Sequence, residues 1–251
     1  MLRVVSQGSQ TNLPSLLIVH GLFGSARNWN VVAKRMSATR MVYTVDMRNH
    51  GESPRAETQS YADMADDLAE VLESIQGNVD VIGHSMGGKA AMVLALQQPD
   101  LVNRLLVADI APVGYSHTQT PLVHAMKSLD LSAIERRSEA DGQLASQIED
   151  AGVRAFLLQS LDVKEKRWRL NLDVLEAEME KIVGFPDVTG QYDKPTLFLS
   201  GANSDYVQPE HRPKIKSLFP NAKFAKIPGA AHWLHAEKPR EFEAALQAFF
   251  N

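Results

Sequence analysis

The chain has 251 residues, 44% hydrophobic and 22% charged, with 26 Lys and Arg against 30 Asp and Glu for a net charge of −4. That length suits one large α/β domain or two small ones, and the acidic balance excludes a general attraction for nucleic acid or an anionic membrane surface. Cysteine is absent, which excludes disulfides, thiolate nucleophiles and cysteine-ligated metals.

The opening residues MLRVVSQGSQTN lack the charged start, long apolar core and cleavage site of a signal peptide. Apolar runs such as Leu16–Val19 are far shorter than the ~20 residues of a membrane span. A cytoplasmic protein with no membrane span is expected. Short, mostly continuous apolar runs at Leu16–Val19, Met41–Val45, Val79–Ile82, Leu105–Ala108, Thr196–Leu199 and Phe224–Ile227 predict strands. Continuous rather than alternating runs suit parallel strands covered on both faces. Between them the pattern predicts helices over Trp29–Met36, Tyr61–Ile75, Gly87–Gln97, Pro209–Leu218 and Pro239–Phe250. In the second of these, Met64, Leu68, Val71, Leu72 and Ile75 make one apolar stripe, with Ser60 placed as the N-cap. Strand alternating with helix predicts an α/β fold with an open, doubly wound, mostly parallel sheet.

Residues 112–194 break that rhythm. Helix-like patterns occur at Leu122–Leu129, Ser132–Glu139, Ser138–Ile148, Val153–Ser160 and Leu170–Ile182, with no strand among them. The charge runs at 135–137 and 164–167 read as solvated helix faces. The expected organisation is a core of 1–111 and 195–251, with 112–194 inserted between two strands as a helical cap over the strand ends.

Residues 81–91, VIGHSMGGKAA, admit two chemistries. Gly83, Gly88 and Lys89 fit G-x-x-x-x-G-K, and Leu105–Asp109 imitates a magnesium-holding strand. The last position of a phosphate loop must offer Mg²⁺ a hydroxyl, however, and Ala90 has none. Gly83-His84-Ser85-Met86-Gly87 is instead G-x-S-x-G, a sharp strand-to-helix turn presenting a nucleophilic serine, with Lys89 then an ordinary early-helix side chain. Such chemistry needs an oxyanion hole. The N–H of Met86 is one candidate donor, and Leu22 in His20-Gly21-Leu22-Phe23-Gly24 is the other, with Phe23 as the alternative. Of eight histidines, His232 follows the last strand and is the expected base. His235 has no partners spaced for a zinc site, so no metal is expected. His20 and His84 read as structural, and His50, His117, His124 and His211 as surface or cap residues. Asp46 and Arg48 read as a strand end and a hydrogen-bonded turn.

LLIVHGLFGSARNW, VDMRNHGESP, VIGHSMGGKAAM and GAAHWLHAEKP, in this order, resemble the α/β-hydrolase fold across nearly the whole chain. More narrowly, HGLFGSARNW, GHSMGGK and DIAPV resemble the YbfF-type esterases. The resemblance implies a Ser-His-Asp hydrolase of esters or thioesters, acyl-CoA-like ones included, with no cofactor. The third member must be a carboxylate beside the histidine. The acid position common in the fold falls on Ser204, with Asp205 one residue late, while Asp109 ends the strand at 105–108. The resemblance favours Asp109 in its Asp-Ile-Ala-Pro setting, and Asp205 stands as the alternative. Phe23, Trp168 and Trp233 are candidates for lining the acyl pocket. A carbon–carbon bond hydrolase or an acyltransferase would use the same three residues, and a non-catalytic ligand receptor would need only the pocket. The expected partner is a small acyl ester or thioester, and the protein is expected to work as a monomer or homodimer.

Overall fold

In a computed structural model describing residues 1–251, the chain begins β1 (Arg3–Gln7), β2 (Ser15–Val19), α1 (Asn30–Met36), β3 (Val42–Asp46) and α2 (Tyr61–Ser74). It continues β4 (Val79–His84), α3 (Met86–Gln97) and β5 (Leu105–Ala108). The segment 112–194 holds α4 (Thr120–Lys127), α5 (Arg137–Leu144), α6 (Ala151–Leu157), the short strands β6 (Leu161–Asp162) and β7 (Arg167–Trp168), α7 (Leu172–Ala177) and α8 (Met179–Val183). The last part is β8 (Thr196–Gly201), α9 (Arg212–Leu218), β9 (Ala222–Ile227), α10 (Leu234–Glu237) and α11 (Pro239–Phe250).

The large sheet has seven strands in the order β1-β3-β2-β4-β5-β8-β9. Only β1 is antiparallel to its neighbour. Alternate residues of each strand enter different cores. Leu17 and Val19 pack with α2 and α3, whereas Leu16 and Ile18 pack with α1 and α11. All four are fully buried, and at about 1.5–3 kcal/mol for each large apolar side chain this is why the run is continuous. The predicted doubly wound sheet is the one the chain builds. Ser60 caps α2 as expected, its hydroxyl accepting the Asp63 N–H at 3.2 Å.

Because β3 and β4 lie on opposite sides of β2, the connections diverge there. The crevice between the ends of β2 and β4 is where such sheets bind ligands. Differences from expectation gather at the sheet edge and in 112–194. The edge strand β1 is half-exposed, so it has no apolar run to betray it. The hairpin β6–β7 pairs only Leu161 with Trp168 and Asp162 with Arg167, too short to show a period. The helix expected over Ser132–Glu139 is a 3₁₀ turn at 131–133 and then α5. Its start is delayed because Arg136 is extended and the Glu139 carboxylate accepts the Glu135 and Arg136 N–H groups. The helix expected over Leu170–Ile182 breaks at Glu178 into α7 and α8.

Candidate active site

Between the last residue of β4 and the first of α3, Ser85 alone makes the turn, at φ 53 and ψ −122. A non-glycine residue seldom adopts that conformation. The turn closes only because its flanks lack side chains. A Cβ on Gly87 would stand 2.3 Å from His20 O, and one on Gly83 would stand 2.5 Å from Gly87 O.

His232, in the loop after β9, faces this serine. Its Nε2 is 3.1 Å from Ser85 Oγ, and its Nδ1 is 2.7 Å from Asp109 Oδ2. Asp109 is fully buried, yet its carboxylate is well supplied with donors. Oδ1 accepts the Gly201 N–H at 3.0 Å, and Oδ2 accepts the Ser204 hydroxyl at 2.5 Å. A carboxylate can only accept, so Nδ1 carries the imidazole proton and Nε2 offers its lone pair to Ser85. His232 is held in place at two further points, its ring and its backbone carbonyl. Tyr206 stacks on it at 4.1 Å between ring centroids, and His84 Nε2–H donates to His232 O at 2.9 Å. Asp205 is exposed, accepts from Gln208 Nε2 at 3.2 Å, and forms no hydrogen bond or ion pair with His232, which pairs with Asp109 instead. The structure thus brings Ser85, His232 and Asp109 together and leaves Asp205 outside. It adds Ser204, which occupies the acid position common in the fold and supports Asp109 from there.

The candidate oxyanion donors also differ. Leu22 N–H has no acceptor within the protein, and Met86 N–H opens α3, where no intrahelical acceptor exists. Phe23 N–H is already engaged, donating to His50 Nε2 at 3.2 Å. His20 shapes this loop as expected. Its Nδ1–H donates to Gly21 O at 2.7 Å and its Nε2 accepts the Met47 N–H at 2.9 Å. Burial pushes its pKa down to about 4, so the ring is neutral. Asp46 ends β3 by accepting the Ala26 N–H at 2.7 Å and the Glu52 N–H at 2.9 Å. Arg48 is held by Asp67 at 2.6 Å.

Above Ser85 lies a cavity of about 320 Å³. The core supplies Leu22, Phe23, Met86, Ile110 and Trp233 to its lining, and 112–194 supplies Tyr115, Leu122, Val153, Phe156, Leu157 and Ile182. Three expectations need correction. Trp168 is not in this lining; its ring is buried elsewhere in the segment and its Nε1–H donates to Met126 O at 3.0 Å. An aromatic residue in the charged stretch between two predicted helices gives no clue to which core it joins. His50 is buried rather than superficial, because the turn after β3 folds against the Phe23 loop. Lys89, which reads as an ordinary early-helix side chain, is also buried. Its Nζ donates to Val183 O at 2.9 Å and Gly184 O at 2.5 Å, tying α3 to the end of α8. Burial without a carboxylate partner pushes its pKa down to about 7.

A family model described as the alpha/beta hydrolase family matches residues 16–245. The sn-1-specific diacylglycerol lipase ABHD11 of Mus musculus is 46% identical over 250 residues, covering 94% of this chain and 81% of that protein. Esterase YbfF of Escherichia coli K12 is 36% identical over 252 residues, covering 100% of this chain and 98% of that one. A solved marine microorganism esterase superposes with a TM-score of 0.93 at 40% identity, covering 99% of this chain and 98% of that chain.

Proposed function

The chain belongs to the alpha/beta hydrolase family, and on that premise we propose that it cleaves carboxylic esters or thioesters through an acyl-enzyme on Ser85. One observation carries the reading: the hydrogen-bonded chain Asp109–His232–Ser85, at 2.7 and 3.1 Å, opens onto an apolar cavity. The names of the relatives, an esterase and a lipase, support the same reaction class.

His232 Nε2 takes the hydroxyl proton as Ser85 Oγ attacks the acyl carbonyl. The buried Asp109 carboxylate stabilises the imidazolium that forms and fixes its tautomer. Negative charge on the carbonyl oxygen is received by the N–H groups of Leu22 and Met86, each worth about 10²–10³ in rate at such sites. His232 then protonates the departing alcohol or thiol, activates water, and releases the acid. This chemistry needs no metal or organic cofactor. In this reading 112–194 is a cap, and Phe156, Leu157 and Ile182 form a wall against the acyl chain. An acyltransferase would follow the same steps with an alcohol or thiol in place of water, and product analysis separates the two. No helix is long and apolar enough to cross a membrane. The lack of cysteine supports a cytoplasmic protein. Only Met1 and Val31 among the large apolar side chains are exposed, which supports a monomer over a homodimer.

The test is hydrolysis of p-nitrophenyl acetate and butyrate by the purified protein beside Ser85→Ala. The expected result is turnover that falls by about 10³-fold or more in the variant. Equal release by both proteins overturns the reading.

A further inference from the structure

Phe23 follows the proposed oxyanion donor Leu22 and sits at φ 62, a left-handed conformation that a bulky residue seldom adopts unless its surroundings hold it there. Two hydrogen bonds hold it there. Its N–H donates to His50 Nε2 at 3.2 Å, and its carbonyl accepts the Ser160 hydroxyl at 3.0 Å. Both partners are buried, and neither lines the cavity. Ser160 belongs to 112–194, just before β6. His50 belongs to the turn after β3, and its other nitrogen donates to Arg48 O at 2.8 Å. That bond leaves Nε2 unprotonated and able to accept.

The two grips converge on the same segment. Ser160 reaches Phe23 directly. His50 is bridged to Leu170 in antiparallel fashion, and the neighbouring Asn171 N–H donates to Asn49 O at 2.9 Å. The loop that presents Leu22 is therefore fastened on both sides of Phe23 to groups whose own positions depend on how 112–194 is seated.

We propose that Ser160 and His50 are positioning residues: by clamping the Phe23 backbone they aim the Leu22 N–H at the oxyanion and make turnover depend on the seating of 112–194. The proposal rests on the ester-hydrolase reading with Leu22 as a donor. Since neither side chain lines the cavity, losing either spares ground-state binding and weakens only what forms in the transition state. Complete loss of an oxyanion donor costs about 10²–10³ in rate, so a donor that is merely mis-aimed costs less.

The test measures Ser160→Ala and His50→Leu on p-nitrophenyl butyrate, with thermal unfolding alongside. Butylboronic acid is the probe for the hole, because its tetrahedral adduct on Ser85 places an oxygen there. Gln159→Ala is the control. It removes a 2.7 Å bond from the same turn to Asn28 without touching Phe23. For Ser160→Ala the expected results are a roughly 10-fold fall in kcat, KM within about twofold, and boronate affinity falling in step with kcat. Gln159→Ala is expected to keep kcat within about twofold. Unchanged kcat in Ser160→Ala overturns the proposal. So does a loss confined to KM with boronate affinity intact, or an equal loss in Gln159→Ala. If wild type shows no Ser85-dependent release, the hydrolase reading fails instead, and that result appears before any Ser160 variant is measured.

Discussion

Leu16 to Val19 are buried on both faces of the sheet, whereas 112–194 is assembled from five short helices and a two-stranded hairpin. The outside of that segment carries ion pairs such as Lys127–Asp173 and Arg136–Glu139, of a kind worth about 0–1 kcal/mol each. The division extends to the site. Ser85, His232, Asp109, Leu22 and Met86 all lie just beyond strands of the large sheet, and every group proposed to act on the carbonyl is among them. The segment contributes walls, through Phe156, Leu157 and Ile182, and holds Phe23 from behind. A rigid sheet is suited to fixing reactive atoms, while separate short helices can vary the pocket without disturbing them.

Substitutions on the two sides of this division should behave differently. His232→Ala is expected to lower kcat on p-nitrophenyl butyrate by about 10³-fold or more. Phe156→Ala should raise KM for butyrate about fivefold and leave kcat within about threefold, as for lost uniform binding. A segment substitution at Phe156 that lowered kcat as far as His232→Ala would break the division.

A pH effect on stability should come from the sheet side. Burial pushes His20 down to about 4, His50 and His235 to about 3, and His84 well below the ordinary value. Each therefore binds a proton more readily unfolded than folded, so stability rises with pH between the folded and unfolded values. The contribution is full above the ordinary histidine value near 6.5 and is lost as pH falls towards the folded values. Thermal unfolding at pH 5 should come roughly 5–10 °C below that at pH 7.5, and a flat profile between those two would contradict the neutral burial of these rings. A smaller effect is expected within the segment. Trp168→Phe removes the bond to Met126 O and should cost about 1 kcal/mol of stability. Its kcat and KM should match wild type, and a change in acyl-chain preference would return Trp168 to the pocket.

The contrast also explains what could be read from sequence. Both-face burial produces apolar runs such as Leu105–Ala108, and a strained elbow demands glycines such as Gly83 and Gly87, so strands and nucleophile were visible. Asp109 was harder, because its partners Gly201 and Ser204 lie more than ninety residues away and come from a different strand end. His50 and Trp168 were misplaced for the same reason: their surroundings are set by tertiary packing, which no local period encodes. The short strands β6 and β7 carry no period at all. Ser204 carries a signal of its own, since a hydroxyl at the customary acid position hints that the acid has moved and left a donor behind.

The most direct test of the central claim compares kcat for Asp109→Asn and Asp205→Asn on p-nitrophenyl butyrate. An amide at 109 still fits the site but its N–H can donate to His232 Nδ1 and so hold the imidazole in the wrong tautomer, with the proton on Nε2; kcat should fall by about 10³-fold or more, while Asp205→Asn stays within about twofold. A collapse in Asp205→Asn, with Asp109→Asn near wild type, would contradict the account.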